Sequence, residues 1–473
     1  MKVEQIYTSC LAQGAYYIES HGVAAVIDPL REVDQYITMA KDRKAKIKYV
    51  FETHFHADFV SGHIDLAKKT GATIVYGPTT VKTGFDFVVG KDGQEFKLGN
   101  VKIRLLHTPG HTMESSCYLL IDETGKETAL FSGDTLFIDD VGRPDLAQKV
   151  IAELTQEKLA AHLFDSLRNK IMPLPDHIII YPGHGAGSAC GKKMSDETSD
   201  TLGHQKETNY ALRADMTKEE FIDDILTGLT PPPGYFPQNV LINIQGYQNI
   251  DSVIKKAKTP LTVNAFEKSM LENCAIIIDT RDAQAFAKGF IPDSYNIGID
   301  GSFANWVGTT IVNTKQAILI VADPGREEEV AKRLARIGFD NALGFLKGGI
   351  DAWKKAGKEL EMITSITANH LATIKQKEPV AILDVRRASE YNSEHILNAI
   401  NMPLDYIKNS IKKLDKEKTY YVHCRSGYRS MVFVSILKSM GFENLIDIKG
   451  GLIALKKTKK FNISEYKAPT TLL

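Results

Sequence analysis

The sequence predicts a multidomain α/β protein. Its 473 residues are enough for two to four domains. In residues 1–225, short apolar runs lead into polar loops, as the strands of a sheet do: AAVIDPL, YVFETH, IRLLHTPGH, TALFSGD and HIIIYPGH. Further along, two stretches about 105 residues apart repeat each other, a spacing typical of compact domains. Each copy alternates strand and helix patterns, which predicts parallel sheets.

The composition is that of an ordinary soluble protein. Hydrophobic residues make up 43% and charged residues 25%, and the 58 Lys and Arg equal the 58 Asp and Glu. This balance provides no field that would recruit nucleic acid or an anionic membrane. We expect neither a transmembrane helix nor a secretory signal, because the apolar runs are short and the N-terminus lacks a basic region before an apolar one. Five scattered cysteines favour a reducing compartment, so a cytoplasmic location is predicted.

Three domains are predicted along the chain. The first covers residues 1–245 and ends with the proline-rich segment GLTPPPGYFP at 228–237, which we expect to be a linker or an extended arm. The repeat places a second domain at 258–360 and a third at 363–473. Segments 275–297 and 337–353 match segments 381–402 and 440–455.

Metal-ligating side chains gather at the predicted strand ends of the first domain. The densest cluster is THFHADF at 53–59, and the others lie in TPGH at 108–111, SGD at 132–134 and YPGH at 181–184. A single His is more often structural, but an ordered set of His and Asp on successive strand ends predicts a metal site. The candidate ligands are His54, His56, Asp58, His111, Asp134 and His184.

This ordered set resembles the metallo-β-lactamase superfamily over about the first 230 residues, and the resemblance implies an αββα sandwich. Two branches of the superfamily compete. The glyoxalase II type uses two metals to hydrolyse thioesters, whereas persulfide dioxygenases use one iron. Phe59 stands where the superfamily usually has a His for the second metal, so we expect one metal.

The resemblance to persulfide dioxygenases implies that His54, His111 and Asp134 bind one Fe(II) per chain, with zinc as the alternative. It leaves His56, Asp58 and His184 as residues that orient the ligands or bind an additional metal.

Three further residues of this domain are candidates. Arg143 and Asp145 match a Gly-Arg-x-Asp element of the dioxygenases and would brace the loop beside the metal; the alternative is a surface ion pair. Cys190, six residues after His184, is a possible sulfur relay, although an idle buried Cys is an equally good interpretation.

The third domain carries a candidate nucleophile in YYVHCRSGYRS at 420–430. Cys424 ends a predicted strand, and the following loop and helix should direct backbone N–H groups at its sulfur; with Arg425 and Arg429 they should favour the thiolate. The loop resembles the active site of the rhodanese sulfurtransferases. A related phosphatase loop has Cys-x5-Arg, but here the spacing is Cys-x4-Arg. The resemblance implies that Ser426, Gly427 and Tyr428 belong to an anion-binding loop.

The middle copy lacks this nucleophile. VADPGREE at 321–328 puts Ala322 or Asp323 at the Cys424 position, and we expect Cys274 to lie on the strand before Asp279, where it cannot substitute. We therefore expect a rhodanese-like domain without sulfurtransferase chemistry, acting as a bridge or a docking surface.

The chain order resembles fusions of a persulfide dioxygenase with rhodanese domains. That resemblance implies oxidation of a low-molecular-weight thiol persulfide by O2 to sulfite, and then sulfur transfer through a Cys424 persulfide to give thiosulfate, in sulfide detoxification. The carrier could be glutathione, coenzyme A, bacillithiol or polysulfide, and a dimer or tetramer is compatible with the resemblance. Two alternatives stay open: a glyoxalase II-like hydrolase fused to a sulfurtransferase, and persulfide-sensing docking modules.

Overall fold

The structure, a computed structural model, describes residues 1–146, 154–229 and 231–468. The chain divides into two compact units. Within the described residues, one comprises Met1–Ile250 with Arg336–Gly338, and the other Asp251–Ala335 with residues 339–468. Among the described residues, none of the helices combines the length and the apolar character needed to cross a bilayer.

The first unit contains two six-stranded sheets among its described residues, with strand orders β1-β2-β3-β4-β5-β6 and β12-β11-β10-β9-β8-β7. The strands are β1 Lys2–Thr8, β2 Gln13–Ser20, β3 Val23–Ile27, β4 Lys46–Phe51, β5 Thr73–Tyr76, β6 Val88–Val89, β7 Glu95–Leu98, β8 Val101–His107, β9 Ser116–Ile121, β10 Glu127–Gly133, β11 Ile179–Pro182 and β12 Asp200–Thr201. The helices are α1 Asp34–Asp42, α2 His63–Thr70, α3 Gln156–Ser166, α4 Leu202–Thr208, α5 Lys218–Leu226 and α6 Phe236–Gln245, with a π-helical turn at Leu167–Ile171 and a 3-10 turn at Tyr210–Leu212.

Apolar side chains of the two sheets meet in one core. Ile27 and Phe51 of the first sheet pack in the same buried cluster as Leu105, Tyr118 and Phe131 of the second. The outer faces of the sheets are covered by helices: α1 packs on one and α3 with α5 on the other. The unit is an αββα sandwich, as predicted, because each sheet buries one face against the other sheet and one against helices.

The second unit contains two parallel five-stranded sheets with the same topology, β13-β17-β16-β14-β15 and β18-β22-β21-β19-β20. The strands are β13 Pro260–Leu261, β14 Ile276–Asp279, β15 Tyr295–Asn296, β16 Ile318–Val321, β17 Ala342–Leu346, β18 Ser365–Ile366, β19 Ala381–Asp384, β20 Ile400–Asn401, β21 Tyr420–His423 and β22 Leu445–Ile448. The helices are α7 Ile250–Ala257, α8 Val263–Glu272, α9 Ala283–Ala287, α10 Phe303–Thr310, α11 Glu327–Arg336, α12 Gly349–Lys355, α13 Ala368–Lys375, α14 Ala388–Ser393, α15 Ile407–Ser410, α16 Tyr428–Lys438 and α17 Gly451–Thr458, with 3-10 turns at Leu404–Tyr406 and Ile411–Lys413.

The repeat extends to side-chain geometry. Asp279 ends β14 and forms a forked ion pair with Arg281, and the Nη2–Oδ2 distance is 2.6 Å. Asp384 ends β19 and pairs with Arg386 at the same distance. The predicted architecture, an αββα sandwich followed by two α/β domains with parallel sheets, is therefore confirmed.

Strand register decides which middle-copy residue matches the nucleophile. Asp279 pairs with Val321 of β16, as Asp384 pairs with His423 of β21. The residue after Val321 is Ala322, so Ala322 and not Asp323 stands at the Cys424 position.

The structure changes two details of the predicted organisation. Cys274 does not lie on the strand before Asp279: it is exposed in the turn between α8 and β14, with a φ of 45°. The last residues of the predicted linker are helical, since α6 begins at Phe236 with a proline in its first turn, a position where proline is tolerated. Thr230 of that linker and residues 469–473 of the third predicted domain lie outside the described residues. The domain boundaries stay predictions.

Candidate metal centre and sulfur-transfer loop

Three of the six candidate ligands meet at one point. His54, His111 and Asp134 follow β4, β8 and β10, and each offers a ligand atom within 4.8 Å of the other two. The Nε2 atoms of His54 and His111 lie 4.0 and 3.5 Å from Asp134 Oδ2. All three residues are buried.

Hydrogen bonds fix both imidazoles with Nε2 toward this point. Nδ1 of His111 donates to the backbone carbonyl of Arg143 at 2.8 Å. Nδ1 of His54 lies 3.0 Å from the Thr53 hydroxyl, which itself donates to Asp28 and must therefore accept from His54. Burial, with the nearby charge of His56, holds the pKa of His54 well below its usual value, so its Nε2 carries a free lone pair.

Asp134 presents one bonded and one unbonded oxygen. Its Oδ1 accepts from His184 Nδ1 at 2.8 Å, whereas its buried Oδ2 has no hydrogen-bond partner in the described part of the chain. Burial alone would raise the pKa of Asp134, but the charge and the hydrogen bond of His184, together with the nearby His54 and His111, outweigh burial and keep that pKa below its usual value. An orphaned carboxylate oxygen facing two imidazole nitrogens fits a divalent cation.

His184 links Asp134 to a second carboxylate. Its Nε2 lies 2.8 Å from Asp58 Oδ2, so both ring nitrogens donate to carboxylates. Burial opposes the charge, but the two carboxylates raise the pKa of His184 to about 10 and keep it an imidazolium.

Cys190 joins this group: Asp58, His184 and Cys190 also offer ligand atoms within 4.8 Å of one another. Burial and the two carboxylates hold the pKa of the Cys190 thiol well above its usual value.

His56 faces other partners. Its Nε2 lies 3.1 Å from Asp28 Oδ1 and 3.5 Å from Glu52 Oε2, and these three buried residues form a separate acidic cluster. Phe59 is fully buried, and the centroid of its ring lies 4.3 Å from the centroid of the His56 ring. Sequence reasoning did not identify Asp28 and Glu52, although both are polar residues at strand ends, which is the signal that revealed the other ligands.

Arg143, which is buried, braces its loop through half-buried Asp145, so the pair is not a surface ion pair. Arg143 is 1% exposed and binds Asp145 with a forked pair at 2.6 and 2.7 Å. Its backbone N–H also donates to the carbonyl of Cys190 at 2.9 Å. The same residue therefore holds His111 through its carbonyl and the Cys190 loop through its N–H. Gly142 is needed there, because a Cβ would lie 1.9 Å from the Asp134 carbonyl oxygen.

The candidate nucleophile lies between β21 and α16. Cys424 is 1% exposed, and the backbone N–H of Gly427 donates to its sulfur at 3.1 Å. Gly427 has a φ of 106°, a left-handed conformation that a residue with a side chain adopts only with backbone strain. This conformation turns the Gly427 N–H back to the sulfur. The carbonyl of Cys424 accepts from Leu452 N–H at 2.8 Å, so the chain is held on both sides of the sulfur.

The two arginines of this loop have different surroundings. Arg429 forms a bidentate pair with Glu390 at 2.5 and 2.8 Å. Burial would lower the pKa of Arg429, but Glu390, with Cys424 nearby, raises it above its usual value. Arg425 is exposed, as is Ser426, so it is the cation of this loop that faces solvent.

Comparisons with known proteins identify two families in the chain. Residues 10–184 match the metallo-beta-lactamase superfamily, and residues 262–356 and 367–458 each match the rhodanese-like domain. A crystal structure of a metallo-beta-lactamase from Staphylococcus aureus is 32% identical and covers 73% of this chain and 98% of its own, with a TM-score of 0.64.

Two further relatives match part of the chain. A probable hydroxyacylglutathione hydrolase of Schizosaccharomyces pombe is 32% identical over 165 residues; the match covers 34% of this chain and 58% of that protein. A structure of ETHE1 from Myxococcus xanthus is 28% identical and covers 51% of this chain and 100% of its own, with a TM-score of 0.43. The chain thus spans just over half the length of the yeast relative. Its first domain is a metal-binding fold, and the chain belongs to the metallo-beta-lactamase superfamily, with two rhodanese-like domains following that domain.

Proposed function

We propose that this chain oxidises a low-molecular-weight thiol persulfide with O2 to sulfite at one iron, and then makes thiosulfate by sulfur transfer through Cys424. The observation that carries the proposal is the group of His54, His111 and Asp134 on a chain that also holds the Cys424 loop. Two imidazoles and one carboxylate form the ligand set of many non-haem Fe(II) oxygenases.

Iron bound there would supply open coordination positions for the substrate sulfur and for O2. The chain's own residues prepare the site. The Arg143 carbonyl and the Thr53 hydroxyl hold the two imidazoles in the required tautomer, and His184 holds Asp134 so that Oδ2 is the oxygen left to bind. Burial of these groups excludes bulk water, which protects a reactive sulfur intermediate.

In the third domain, the Cys424 thiolate attacks the outer sulfur of RSSH. A bond forms between the two sulfurs, and RS⁻ leaves and takes up a proton. Sulfite then attacks the outer sulfur of the Cys424 persulfide with its lone pair; thiosulfate forms and the thiolate returns. The Gly427 N–H stabilises negative charge on the sulfur, and exposed Arg425 attracts sulfite, while Arg429 fixes the loop through Glu390.

The direct test is oxygen uptake by the iron-loaded protein across persulfides of glutathione, coenzyme A and bacillithiol and with polysulfide, with sulfite and thiosulfate measured. We expect uptake with at least one carrier and near one iron per chain. Absence of uptake with all four, together with hydrolysis of a thioester, would refute the proposal.

One observation favours a second candidate function. Asp58, His184 and Cys190 could hold a second ion beside the first, and two bridged metals suit hydrolysis. The yeast relative is named a probable hydroxyacylglutathione hydrolase. In that function the first domain cleaves a thioester. Two zinc ions per chain with thioesterase activity would favour it, and one iron would not.

Replacing Cys190 with Ser separates the two functions. A mononuclear site does not use this thiol, so we expect C190S to keep one metal per chain and to change oxygen uptake by less than about threefold, as a small substitution away from the ligands should. Metal analysis and an oxygen electrode measure both, with Cys117→Ser, another buried cysteine of the first unit, as a control. Loss of one of two metals in C190S would instead support the dinuclear site.

Replacing Phe59 with His tests whether this position controls metal number. We expect F59H to keep one metal per chain, because Asp58 and His184 are already bonded to each other and Phe59 packs on His56. Burying an unpartnered imidazole should also cost about 1–3 kcal/mol of unfolding free energy. Phe59→Leu is the apolar control. Tight binding of a second zinc by F59H, but not by F59L, would contradict the expectation.

A further inference from the structure

The middle rhodanese-like copy contacts Tyr428. This residue ends the loop that begins at Cys424, which we call the sulfur-transfer loop. The Tyr428 hydroxyl donates to the carbonyl of Gly298 at 2.7 Å. Tyr428 is the first residue of α16 and directly follows Gly427, whose N–H reaches the Cys424 sulfur. The middle copy thus contacts the side chain of the residue next to the glycine that donates to the nucleophile.

Two glycines of the middle copy make room for the Tyr428 ring. A Cβ on Gly301 would lie 2.3 Å from Tyr428 Cε2, and a Cβ on Gly298 would lie 3.2 Å from the same atom. Neither glycine has a positive φ, so their backbone conformations do not require glycine. At Gly301 the three nearest atoms to such a Cβ all belong to the Tyr428 ring, and at Gly298 the nearest atom is a ring carbon, with the Arg281 carbonyl oxygen at 3.4 Å.

Further hydrogen bonds join the middle copy to the helix and strand beside the loop. The Asn296 N–H donates to the Ser435 hydroxyl of α16 at 2.9 Å. Gln284 donates to Asp447 of β22 at 3.2 Å, and Asp447 also accepts from Ser430 in the first turn of α16. The contact is therefore built along α16 and does not depend on one side chain.

The outer side of the loop borders a cavity of about 250 Å3. Its walls come from both copies: Asp282 and Asp300 with their neighbours on one side, and Ser426, Gly427 and Tyr428 on the other. The loop is thus open to small molecules on the side where the middle copy holds it.

We propose that the middle copy positions the sulfur-transfer loop, with Gly298 and Gly301 as positioning residues that seat Tyr428 and thereby aim Gly427 N–H at Cys424. The inference rests on the proposed sulfur transfer. It gives the domain without a nucleophile a role in the chemistry of its neighbour, because a displacement of the Tyr428 ring moves the adjacent αL glycine. Misplacement of catalytic groups by about 1 Å can cost two orders of magnitude in rate.

Gly301→Ala is the test, and Gly289→Ala is the matched control in the same domain, where a Cβ would meet only Leu360 at 3.6 Å. In the full-length iron-loaded protein, we expect G301A to lower kcat for sulfur transfer to sulfite by about tenfold or more. Oxygen uptake and the KM for sulfite should stay near those of G289A. Equal transfer rates in G301A and G289A would overturn the inference.

A double substitution distinguishes positioning from general damage. In Tyr428→Ala the ring that Gly301 accommodates is gone, so adding G301A should cause no further loss, whereas independent effects would multiply. If G301A unfolds, Tyr428→Phe, which keeps the ring and loses only the bond to Gly298, should still lower kcat severalfold. Multiplicative losses in the double variant, or wild-type kcat in Y428F, would contradict the inference. Absence of sulfur transfer in the wild-type protein would instead refute the proposed function.

Discussion

Asp134→Ala should abolish tight metal binding and oxygen uptake together. Asp134 supplies the only carboxylate of the three-residue group, and its unpaired Oδ2 is the atom that faces both imidazoles. Loss of a residue that merely orients a ligand already costs about 10–100-fold in affinity or activity, so loss of the ligand itself should cost more than about 100-fold. Metal analysis after dialysis and oxygen uptake with a persulfide measure the two effects.

The same substitution removes a charge partner of His184. That imidazolium would keep only Asp58, and breaking a buried ion pair typically costs about 3–5 kcal/mol. His111→Ala is therefore the companion variant, because it deletes a ligand and leaves the Asp134–His184–Asp58 chain intact. Asp86→Ala, at an exposed position of the same domain, is the control. If either ligand variant kept full oxygen uptake with stoichiometric zinc, the iron assignment would be wrong.

The strand-end pattern of the sequence predicted six candidate metal ligands, and the resemblance to persulfide dioxygenases singled out three of them. His54, His111 and Asp134 each follow a strand, and strand ends on neighbouring elements of a sandwich converge at one edge. The repeat predicted the second unit for a related reason: two copies of one α/β pattern specify one topology, and the sheets have the same strand order.

Other contacts join residues that are distant in sequence, so only the folded structure shows them. His56 pairs with Asp28, which is distant in sequence and comes close only because β3 and β4 are parallel neighbours. Arg429 meets Glu390 across 39 residues. The choice between Ala322 and Asp323 depended on a one-residue gap that alignment by eye could not place, and the pairing of β14 with β16 decides it. The contact of Gly301 with Tyr428 joins the two repeats, and the sequence of neither repeat contains a motif that predicts it.

Cys424→Ser should uncouple the two halves of the reaction. Oxygen uptake should continue, because the metal ligands are untouched, but sulfite should accumulate in place of thiosulfate. A serine hydroxyl is a far weaker nucleophile than a thiolate and forms no persulfide, so sulfur transfer should fall by about three orders of magnitude or more. Sulfite and thiosulfate are measured during turnover, after subtraction of the uncatalysed reaction of sulfite with persulfide.

Cys274→Ser is the matched control for this variant. Cys274 is an exposed thiol in the middle copy, and the proposed chemistry does not use it. It should keep the wild-type ratio of thiosulfate to sulfite. Thiosulfate formation at the full rate in C424S would mean that sulfur transfer does not pass through Cys424. The result also bears on why the domains share one chain. If sulfite escapes from C424S but not from the wild type, the third domain consumes sulfite as fast as the first domain makes it. Linked sites gain this advantage because the linkage raises the effective concentration of the shared product.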